Sequence, residues 1–386
     1  GYATAFHGKW HLGDIEESYP HNQGFDEAFF TGYNQILSLN TVEAEQGNAS
    51  MGLQEDILPD DPYKLDDTFI TKDWIQIAEG TKGGDTRQWR DNTLETYEAI
   101  DPEAQKRTLE FIERNAKAGK PFYIANWPMM SSFLPIRPKN CSVARSMLQD
   151  GLQCNVDPFV GNVMDKLKEL GIAENTLVVI MADNGPMSHN SPPGTGFAET
   201  IFRGGKGDFL EGGVRVPAMA WWPGMIDEGQ VVGDMIHITD LFTTFARLGG
   251  ALDEIPTDRV IDGIDQTALL LKGEHHGRRD YVYIYENEIL RSIVKQEFKM
   301  HMPVPGVPGA AAPTFNLYRD PREEHPQVGI ALWSGASFQD MAKRHMIAIA
   351  KYPHAKIGKD RPYGGIENLR PESQEIVETF MSWQPK

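Results

Sequence analysis

The first clear hydrophobic pattern along the chain is a helix followed by a strand in residues 101–127. Pro102 suits the first turn of a helix and Gly119 suits a helix end, so we predict a helix from Asp101 to near Gly119. The apolar run at residues 122–125 then predicts a strand. A helix followed directly by a strand is typical of α/β proteins.

The same order repeats further along the chain. A 3.6-residue apolar period ends at Gly171, and its members are Val160, Val163, Met164, Leu167 and Leu170. The continuous apolar run at 177–181 predicts a strand covered on both faces, as parallel strands are. A weaker strand in 214–222 precedes a predicted helix in 238–250. The alternation predicts an α/β sheet with helices on both faces and polar sites at the carboxyl ends of its strands.

After about residue 275 the pattern changes to a period of two. Residues 280–302 and 315–318 predict antiparallel strands, and we predict a smaller α+β subdomain from residue 276 onwards. Residues 40–90 are acidic and lack clear periodicity, so they predict a long insertion loop with short helices.

Composition narrows the classes of partner. The 386 residues include 37 Lys and Arg against 55 Asp and Glu, a net charge of −18, which argues against nucleic acid or an anionic membrane as a partner. No apolar stretch approaches the ~18 to 20 residues that cross a bilayer, so no transmembrane segment is predicted. Cys141 and Cys154 are too few for a disulfide framework, and a single bridge between them stays open.

Three polar stretches could carry chemistry. The first is ADNG, where Asp183 and Asn184 follow the buried strand. A carboxylate and a carboxamide offer two hard oxygen ligands that suit Ca²⁺ or Mg²⁺ better than zinc. Asp-Asn-Gly is also a common turn sequence, and that alternative stays open.

The second stretch is FRGGKGDFLEGGVRVP, residues 202–217. Arg203, Lys206 and Arg215 concentrate positive charge in an acidic protein, and the glycines allow a ligand to approach the backbone closely. Such a stretch could hold a tetrahedral oxyanion. A flexible surface loop is the alternative.

The third stretch, GKWHLG at residues 8–13, supplies Lys9 and His11. On an extended backbone, side chains two residues apart point the same way. A lysine can stabilise charge on a transferring group, and a histidine can donate a proton to a leaving oxygen. A surface lysine beside a hydrogen-bonded histidine is the alternative.

Taken in order, these stretches resemble the sulfatase family. The resemblance covers nearly the whole chain, and its other elements are HNQGFDEAFF, KPFYIAN and FNLYRDPREEHP. GKWHLG and KG-x-x-x-x-EGG-x-RVP, with ADNG upstream of the latter, are its most specific elements.

The resemblance implies an alkaline-phosphatase-like α/β sandwich. Residues 1–275 would form the catalytic domain around a central mixed, mostly parallel sheet, and 276–386 a smaller C-terminal α+β subdomain with antiparallel strands. It also implies one divalent cation, usually Ca²⁺ with Mg²⁺ as the alternative. The cation would be held by two consecutive aspartates and by an Asp-Asn pair, here Asp183 and Asn184.

The resemblance further implies a formylglycine nucleophile, made from the cysteine of a Cys-x-Pro/Ala-x-Arg motif. Lys9 and His11 would contact the formylglycine or the sulfate. Lys206 would contact the sulfate and stabilise or protonate the leaving oxygen, and Arg203 is a further predicted substrate contact.

The chain departs from the family pattern in two places. Cys141 in CSVAR has Val143 where the motif has Pro or Ala, so we predict an ordinary loop cysteine. Because the motif and the paired aspartates precede GKWHLG in the family, we expect both upstream of residue 1 and expect this fragment alone to be inactive. Many members carry an active-site histidine shortly after the strand predicted at 122–125, but no histidine lies near Ser131 in this chain. His189 could replace it, although we predict that His189 is a loop residue and not a catalytic one.

We therefore predict a sulfuric ester hydrolase of the arylsulfatase type. Its substrate would be a sulfated small molecule or a sulfated glycan, and a periplasmic or secreted location is suggested by the family alone. Hydrolysis of phosphate monoesters or diesters on the same scaffold is the first alternative. A non-catalytic protein that binds sulfated glycans is the second.

Overall fold

The computed structural model describes residues 1–13, 16–32, 77–90, 96, 99–128, 155–186, 201–286, 289–303 and 312–353. These residues form two compact units, the first ending at Ile172 and the second running from Ala173 to Pro353. The domain boundary predicted near residue 276 stays a prediction.

The first unit is built on a mixed sheet. Its strands are β1 (Ala3–Lys9), β2 (Glu27–Thr31), β3 (Ile77–Thr81), β4 (Arg87–Gln88) and β5 (Phe122–Trp127). The strand order is β4-β3-β2-β1-β5. Strand β1 pairs in parallel with both β2 and β5, whereas the β2–β3 and β3–β4 pairs are antiparallel. The predicted mixed sheet is therefore confirmed, with its parallel pairs centred on β1.

Two helices of this unit match the sequence pattern. They are α1 (Ile100–Lys117) and α2 (Asp157–Glu169). Gly119 and Gly171 follow their ends at φ 62° and 69°, left-handed values that glycine adopts without strain. Phe111 of α1 packs against Ala3 and Ala5, so the helix covers one face of β1. Both predicted helix ends are confirmed.

Strands β3 and β4 correct the prediction for residues 40–90. A loop with short helices was expected there, but residues 77–81 and 87–88 are strands. The remaining residues 40–76 lie outside the described ranges. Strand β3 has only two apolar residues, Ile77 and Ala78, both buried. So few positions cannot show a period of two, and it is pairing with β2 that makes the segment a strand.

The second unit contains two sheets. Its strands are β6 (Val178–Met181), β7 (Ala218–Trp221), β8 (Tyr281–Glu286), β9 (Ile289–Lys295), β10 (Phe298–His301) and β11 (Thr314–Asn316). Its helices are α3 (Glu211–Val214), α4 (Ile238–Leu248), α5 (Thr267–Lys272) and α6 (Val328–Lys351). Strands β6 and β7 form one sheet, and the other has the order β11-β10-β9-β8.

Strand β6 lies where the apolar run predicts it, but the predicted direction of its pairing and its predicted burial are both wrong. It pairs antiparallel with β7, from Val178 opposite Trp221 to Met181 opposite Ala218. All four of its residues are half-buried, whereas a strand covered on both faces was expected. An apolar run indicates burial but carries no information on the direction of the neighbouring strand.

The antiparallel strands predicted after residue 275 are confirmed as β8 to β11. Helix α6 was not predicted individually, because its apolar residues are spread around the helix. Its Phe338 is buried against Ile293 and Met300 of the sheet. Among the described residues, no helix combines the length and apolar character needed to span a bilayer.

Candidate functional site

The GKWHLG segment leaves the carboxyl end of β1 and stays bound to the end of β2. The amide of Trp10 donates to the carbonyl of Thr31, and the amide of His11 donates to that of Gly32, both at 2.9 Å. His11 has φ 56°, a left-handed value that costs a non-glycine residue about 1 kcal/mol. The extended backbone assumed for Lys9 and His11 therefore does not continue through His11. Their roles stay predictions.

Gly8 and Trp10 of the same motif have structural roles. A Cβ on Gly8 would lie 1.9 Å from the carbonyl oxygen of Trp127, so only glycine fits there. The buried Trp10 donates from Nε1 to the carbonyl of Ser18 at 2.8 Å. Its ring lies edge-on to Phe6 and stacks against Trp127, with centroid distances of 4.9 and 6.1 Å. These contacts fix the backbone on either side of Lys9.

His7 of β1 is a further structural residue, and no local sequence pattern predicts its role. It is buried, and its Nδ1 lies 2.8 Å from Oγ1 of Thr108. The Thr108 hydroxyl has one proton and donates it to the carbonyl of Ala104 at 2.9 Å, so Nδ1 of His7 must be the donor to Thr108. Burial lowers the His7 pKa to about 3, with smaller contributions from the nearby Arg107 and Arg114. His7 is therefore a neutral structural residue at physiological pH.

The ADNG segment follows the carboxyl end of β6. Asp183 is exposed and Asn184 is half-buried. The Asn184 Nδ2 donates to the carbonyl of Gly185 at 2.7 Å, which directs the carboxamide nitrogen into the turn and leaves Oδ1 as an acceptor. The segment is thus a turn after a strand, and its carboxylate and carboxamide oxygens are of the kind a hard cation prefers.

The structure joins ADNG to the Gly-rich basic loop, residues 202–217. The amide of Lys206 donates to the carbonyl of Pro186 at 2.8 Å, and the amide of Gly185 donates to that of Gly213 at 3.0 Å. A Cβ on Gly185 would lie 1.8 Å from the carbonyl oxygen of Gly212. Two motifs that are 20 residues apart in the sequence therefore meet backbone to backbone.

The basic loop is itself tightly folded. The amide of Gly212 donates to the carbonyl of Arg203 at 2.8 Å, and a Cβ on Gly212 would lie 2.3 Å from the carbonyl oxygen of Gly204. Asp208 accepts from the amide of Leu210 at 3.0 Å. These contacts do not fit the alternative of a flexible surface loop, and they hold Lys206 on a defined backbone.

Arg203 has a defined partner. Its Nη2 donates to the carbonyl of Glu323 at 2.6 Å. This bond ties the start of the basic loop to the segment after β11. A role for Arg203 in holding substrate stays a prediction. Arg215 lies over the ring of Phe202 and 3.8 Å from a carboxylate oxygen of Glu211.

Asp183 and Asn184 fit part of a calcium or magnesium shell. Ca²⁺ takes about six to eight oxygen ligands, of which these two side chains would supply a share. In the described ranges no group of three or more His, Cys, Asp or Glu residues is placed to hold a metal. Cys141, Cys154, Ser131 and His189, which also entered the sequence predictions, lie outside the described residues.

Comparisons with known proteins agree on one family. A sequence model of the Sulfatase family matches residues 1–251. The N-acetylgalactosamine-6-sulfatase of Canis lupus familiaris is 31% identical over 304 residues, which are 78% of this chain and 52% of that protein. The arylsulfatase of Hemicentrotus pulcherrimus is 30% identical over 314 residues, which are 78% of this chain and 50% of that protein.

A solved structure agrees in both fold and sequence. The PsFucS1 sulfatase from Pseudoalteromonas sp. superposes with a TM-score of 0.77 at 30% identity, over 93% of this chain and 73% of that one. The chain spans about half the length of the two relatives named above. All six residues predicted for the site fall within the 251 residues that the family model matches.

Proposed function

Because the chain belongs to the sulfatase family, we propose that it hydrolyses a sulfate ester to an alcohol and sulfate, with water as the second reactant. The reaction breaks the bond between sulfur and the ester oxygen, and that oxygen takes up a proton as it leaves. Transfer of such a group depends mainly on positioning and on positive groups near the developing charge. In a chain of net charge −18, those groups must be concentrated locally.

The observation that carries the proposal is the junction between the ADNG turn and the basic loop. The bonds from Lys206 to Pro186 and from Gly185 to Gly213 set the spacing between the Lys206 backbone and the Asp183-Asn184 pair. Fixed spacing between a cationic side chain and hard oxygen ligands is what a site for an oxyanion and a divalent cation needs. Neither motif alone would specify it.

In this proposal each predicted residue has its own role. The ammonium group of Lys206 stabilises the charge on the leaving oxygen or protonates it. Lys9 and His11 contact the sulfate or the nucleophile, and Arg203 is a further substrate contact. The 386 residues contain no Cys-x-Pro/Ala-x-Arg, so the proposal assigns the attack on sulfur to none of them.

The metal is also part of the proposal. Asp183 and Asn184 would hold Ca²⁺, or Mg²⁺, through their carboxylate and carboxamide oxygens. When bound, a divalent cation draws negative charge away from the reacting group. Further ligands are needed to complete either shell.

We extend the proposal to a sulfated sugar as substrate. The relative from Canis lupus familiaris is named for a sulfated sugar, which supports this substrate class. Trp127 gives a second argument. It is 43% exposed at the carboxyl end of β5, with its ring held against Trp10 and Phe6. Such a ring offers a rigid apolar surface for the C–H face of a sugar.

The test is turnover by the protein made from its full reading frame, co-expressed with a formylglycine-generating enzyme. Release of sulfate from 4-nitrophenyl sulfate and from N-acetylgalactosamine 6-sulfate is compared with release of phosphate from 4-nitrophenyl phosphate. We expect Lys206→Ala to lower kcat about 10²- to 10³-fold, as loss of one transition-state stabiliser does. Lys343→Ala, an exposed lysine of the same unit, is the matched control.

The same assay separates the alternatives. Faster hydrolysis of the phosphate ester than of both sulfates would favour the phosphoesterase. Binding of sulfated sugar without turnover would favour the non-catalytic protein. Full activity of the Lys206→Ala protein would remove Lys206 from the site.

A further inference from the structure

The segment after β11 carries a buried carboxylate that the proposed chemistry does not use. Glu323, in the motif FNLYRDPREEHP, has a side chain with 0% exposure. Its Oε1 accepts from the amide of Glu211 at 2.7 Å, and its Oε2 lies 2.5 Å from Nε2 of His301. Glu323 also has φ 55°, a backbone conformation that a non-glycine residue keeps only when its surroundings hold it.

Lys299 of β10 is the cation of this buried group. Its side chain also has 0% exposure, and its three ammonium protons have three acceptors. These acceptors are the carbonyl of Phe209 at 2.8 Å, Oε1 of Glu211 at 3.0 Å and Oε1 of Glu323 at 3.2 Å. A buried ammonium group is tolerated when its charge and its donors are matched in this way.

Both residues contact the basic loop around Lys206. The carbonyl of Glu323 accepts a hydrogen bond from Arg203, and its carboxylate accepts one from the amide of Glu211. Lys299 donates to the carbonyl of Phe209. The three contacted loop residues lie on both sides of Lys206 in the sequence. The loop has five glycines between residues 204 and 213 that can contribute no side-chain packing, namely Gly204, Gly205, Gly207, Gly212 and Gly213. Hydrogen bonds from outside the loop therefore take a large part in fixing it.

We propose that Glu323, together with Lys299, is a positioning residue that holds the loop carrying Lys206. Glu323 binds loop atoms on both sides of Lys206 and shares the Lys299 ammonium with Glu211. Loss of its charge would weaken the contacts after Lys206 directly, and it would weaken the Arg203 contact through the Glu323 backbone that the buried side chain holds at φ 55°. Its effect on turnover rests on the proposed function, whereas its effect on the loop does not.

The experiment compares Glu323→Gln with Glu324→Gln in the protein made from the full reading frame. Glu324 is the matched control, because it is the next residue and its ion pair with Arg322 is exposed. Amide hydrogen exchange of residues 203–216 is the first measurement. We expect Glu323→Gln to speed exchange of the Lys206, Gly212 and Gly213 amides by about tenfold or more, while β6 and β7 keep their protection. Glu324→Gln should leave all of them unchanged.

A double-mutant cycle with Lys206→Ala is the second measurement. If Glu323 acts through Lys206, Glu323→Gln lowers kcat/KM by about 10- to 100-fold in the parent protein and adds almost nothing in the Lys206→Ala background. A purely structural role would lower the unfolding midpoint and leave the two losses additive.

Each outcome decides the proposal. Unchanged exchange in Glu323→Gln overturns it whether or not the protein turns over sulfate. Faster exchange in a protein whose parent has no sulfatase activity supports the positioning role and overturns the proposed function instead. Faster exchange with additive losses overturns the link to Lys206. If Glu323→Gln does not fold, Arg203→Met, which removes the bond to the Glu323 carbonyl, must speed exchange of the same amides in the absence of substrate.

Discussion

The backbone amide of Lys206 donates to the carbonyl of Pro186 at 2.8 Å. This bond joins the only lysine of the Gly-rich loop to the turn that carries Asp183 and Asn184. It lies beside the contact of Gly185 with Gly212, where the backbones are too close for any side chain. The junction thus depends on the absence of a Cβ as much as on a hydrogen bond.

We predict that Gly185→Ala separates this junction. Its Cβ would lie 1.8 Å from the carbonyl oxygen of Gly212, and backbone atoms on both sides would have to move. The expected cost is about 1 to 3 kcal/mol of unfolding free energy, with loss of turnover. Urea denaturation and the sulfate-release assay measure both effects.

Gly335→Ala is the control for that change. Gly335 lies within α6 in the same unit, and an added Cβ there meets nothing within 4 Å. Alanine is also the better helix former, so we expect stability to stay equal or to rise by up to about 1 kcal/mol. A Gly185→Ala protein as stable and active as Gly335→Ala would show that the close approach has no consequence.

A second prediction concerns acid stability. The pKa of His7 is lowered from 6.5 to about 3, chiefly by burial, so the folded protein keeps this side chain neutral while the unfolded chain binds a proton below pH 6.5. The contribution of His7 to the free energy of unfolding is thus complete above pH 6.5. It is lost as the pH falls towards 3, by up to about 1.4 kcal/mol per pH unit. We expect His7→Asn, which keeps an N–H donor for Thr108, to reduce that loss.

Unfolding by urea at pH 7, 6, 5 and 4 tests the titration. The control is His325→Asn, because His325 is exposed. An unchanged pH dependence in His7→Asn would mean that His7 is not the group responsible.

A third prediction uses the buried ion pair of Asp240 and Arg279. Arg279 donates to both carboxylate oxygens, from Nε at 2.8 Å and from Nη2 at 2.6 Å, and the two side chains are 0% and 7% exposed. Asp240→Asn leaves the guanidinium buried without its counter-charge, at an expected cost of about 3 to 5 kcal/mol. Urea denaturation of the protein measures this cost.

The exposed pair of Asp258 and Arg259 offers the comparison. Both side chains are more than half exposed, so Asp258→Asn should cost much less unfolding free energy than Asp240→Asn. Equal losses for the two substitutions would show that burial does not set the cost.

The sequence predicts those features whose signal is local. The helix ends at Gly119 and Gly171, the strand β6 and the antiparallel strands after residue 275 all follow from periodicity and from helix-end glycines. The alternation of helices and strands predicts an α/β sheet, whereas the mixed character of the sheet was an expectation from the family resemblance. The predicted site segments fall at strand ends, as for Lys9, the last residue of β1, and Asp183, which follows β6.

What the sequence misses depends on distant partners. The antiparallel pairing of β6 with β7, the short strand β3, the burial of His7 and the network of Glu323 with Lys299 all need contacts between separated segments. Gly8 and Gly185 could be read as turn residues, but their actual constraint is the backbone of Trp127 and of Gly212. No local pattern contains that information.

A fourth prediction concerns the metal. If Asp183 and Asn184 contribute to a Ca²⁺ site, the ion binds the folded protein more tightly than the unfolded chain and raises the unfolding midpoint. At a Ca²⁺ concentration 100 times Kd, the stabilisation is about 2.7 kcal/mol, and a chelator should remove it. Asp183→Ala removes one charged ligand, so the midpoint should respond much less to Ca²⁺.

Thermal unfolding with and without Ca²⁺ tests this independently of turnover. It is measured on the protein made from its full reading frame, because two side chains supply only part of a shell that takes about six to eight oxygens. Asp253→Asn, an exposed acidic residue of the same unit, controls for the general effect of removing negative charge. Since the protein carries a net charge of −18, nonspecific Ca²⁺ binding would shift all three proteins equally, and that result would count against Asp183 as a ligand. A shift kept by Asp253→Asn and lost by Asp183→Ala would instead locate the ion at the turn that the Lys206 loop holds.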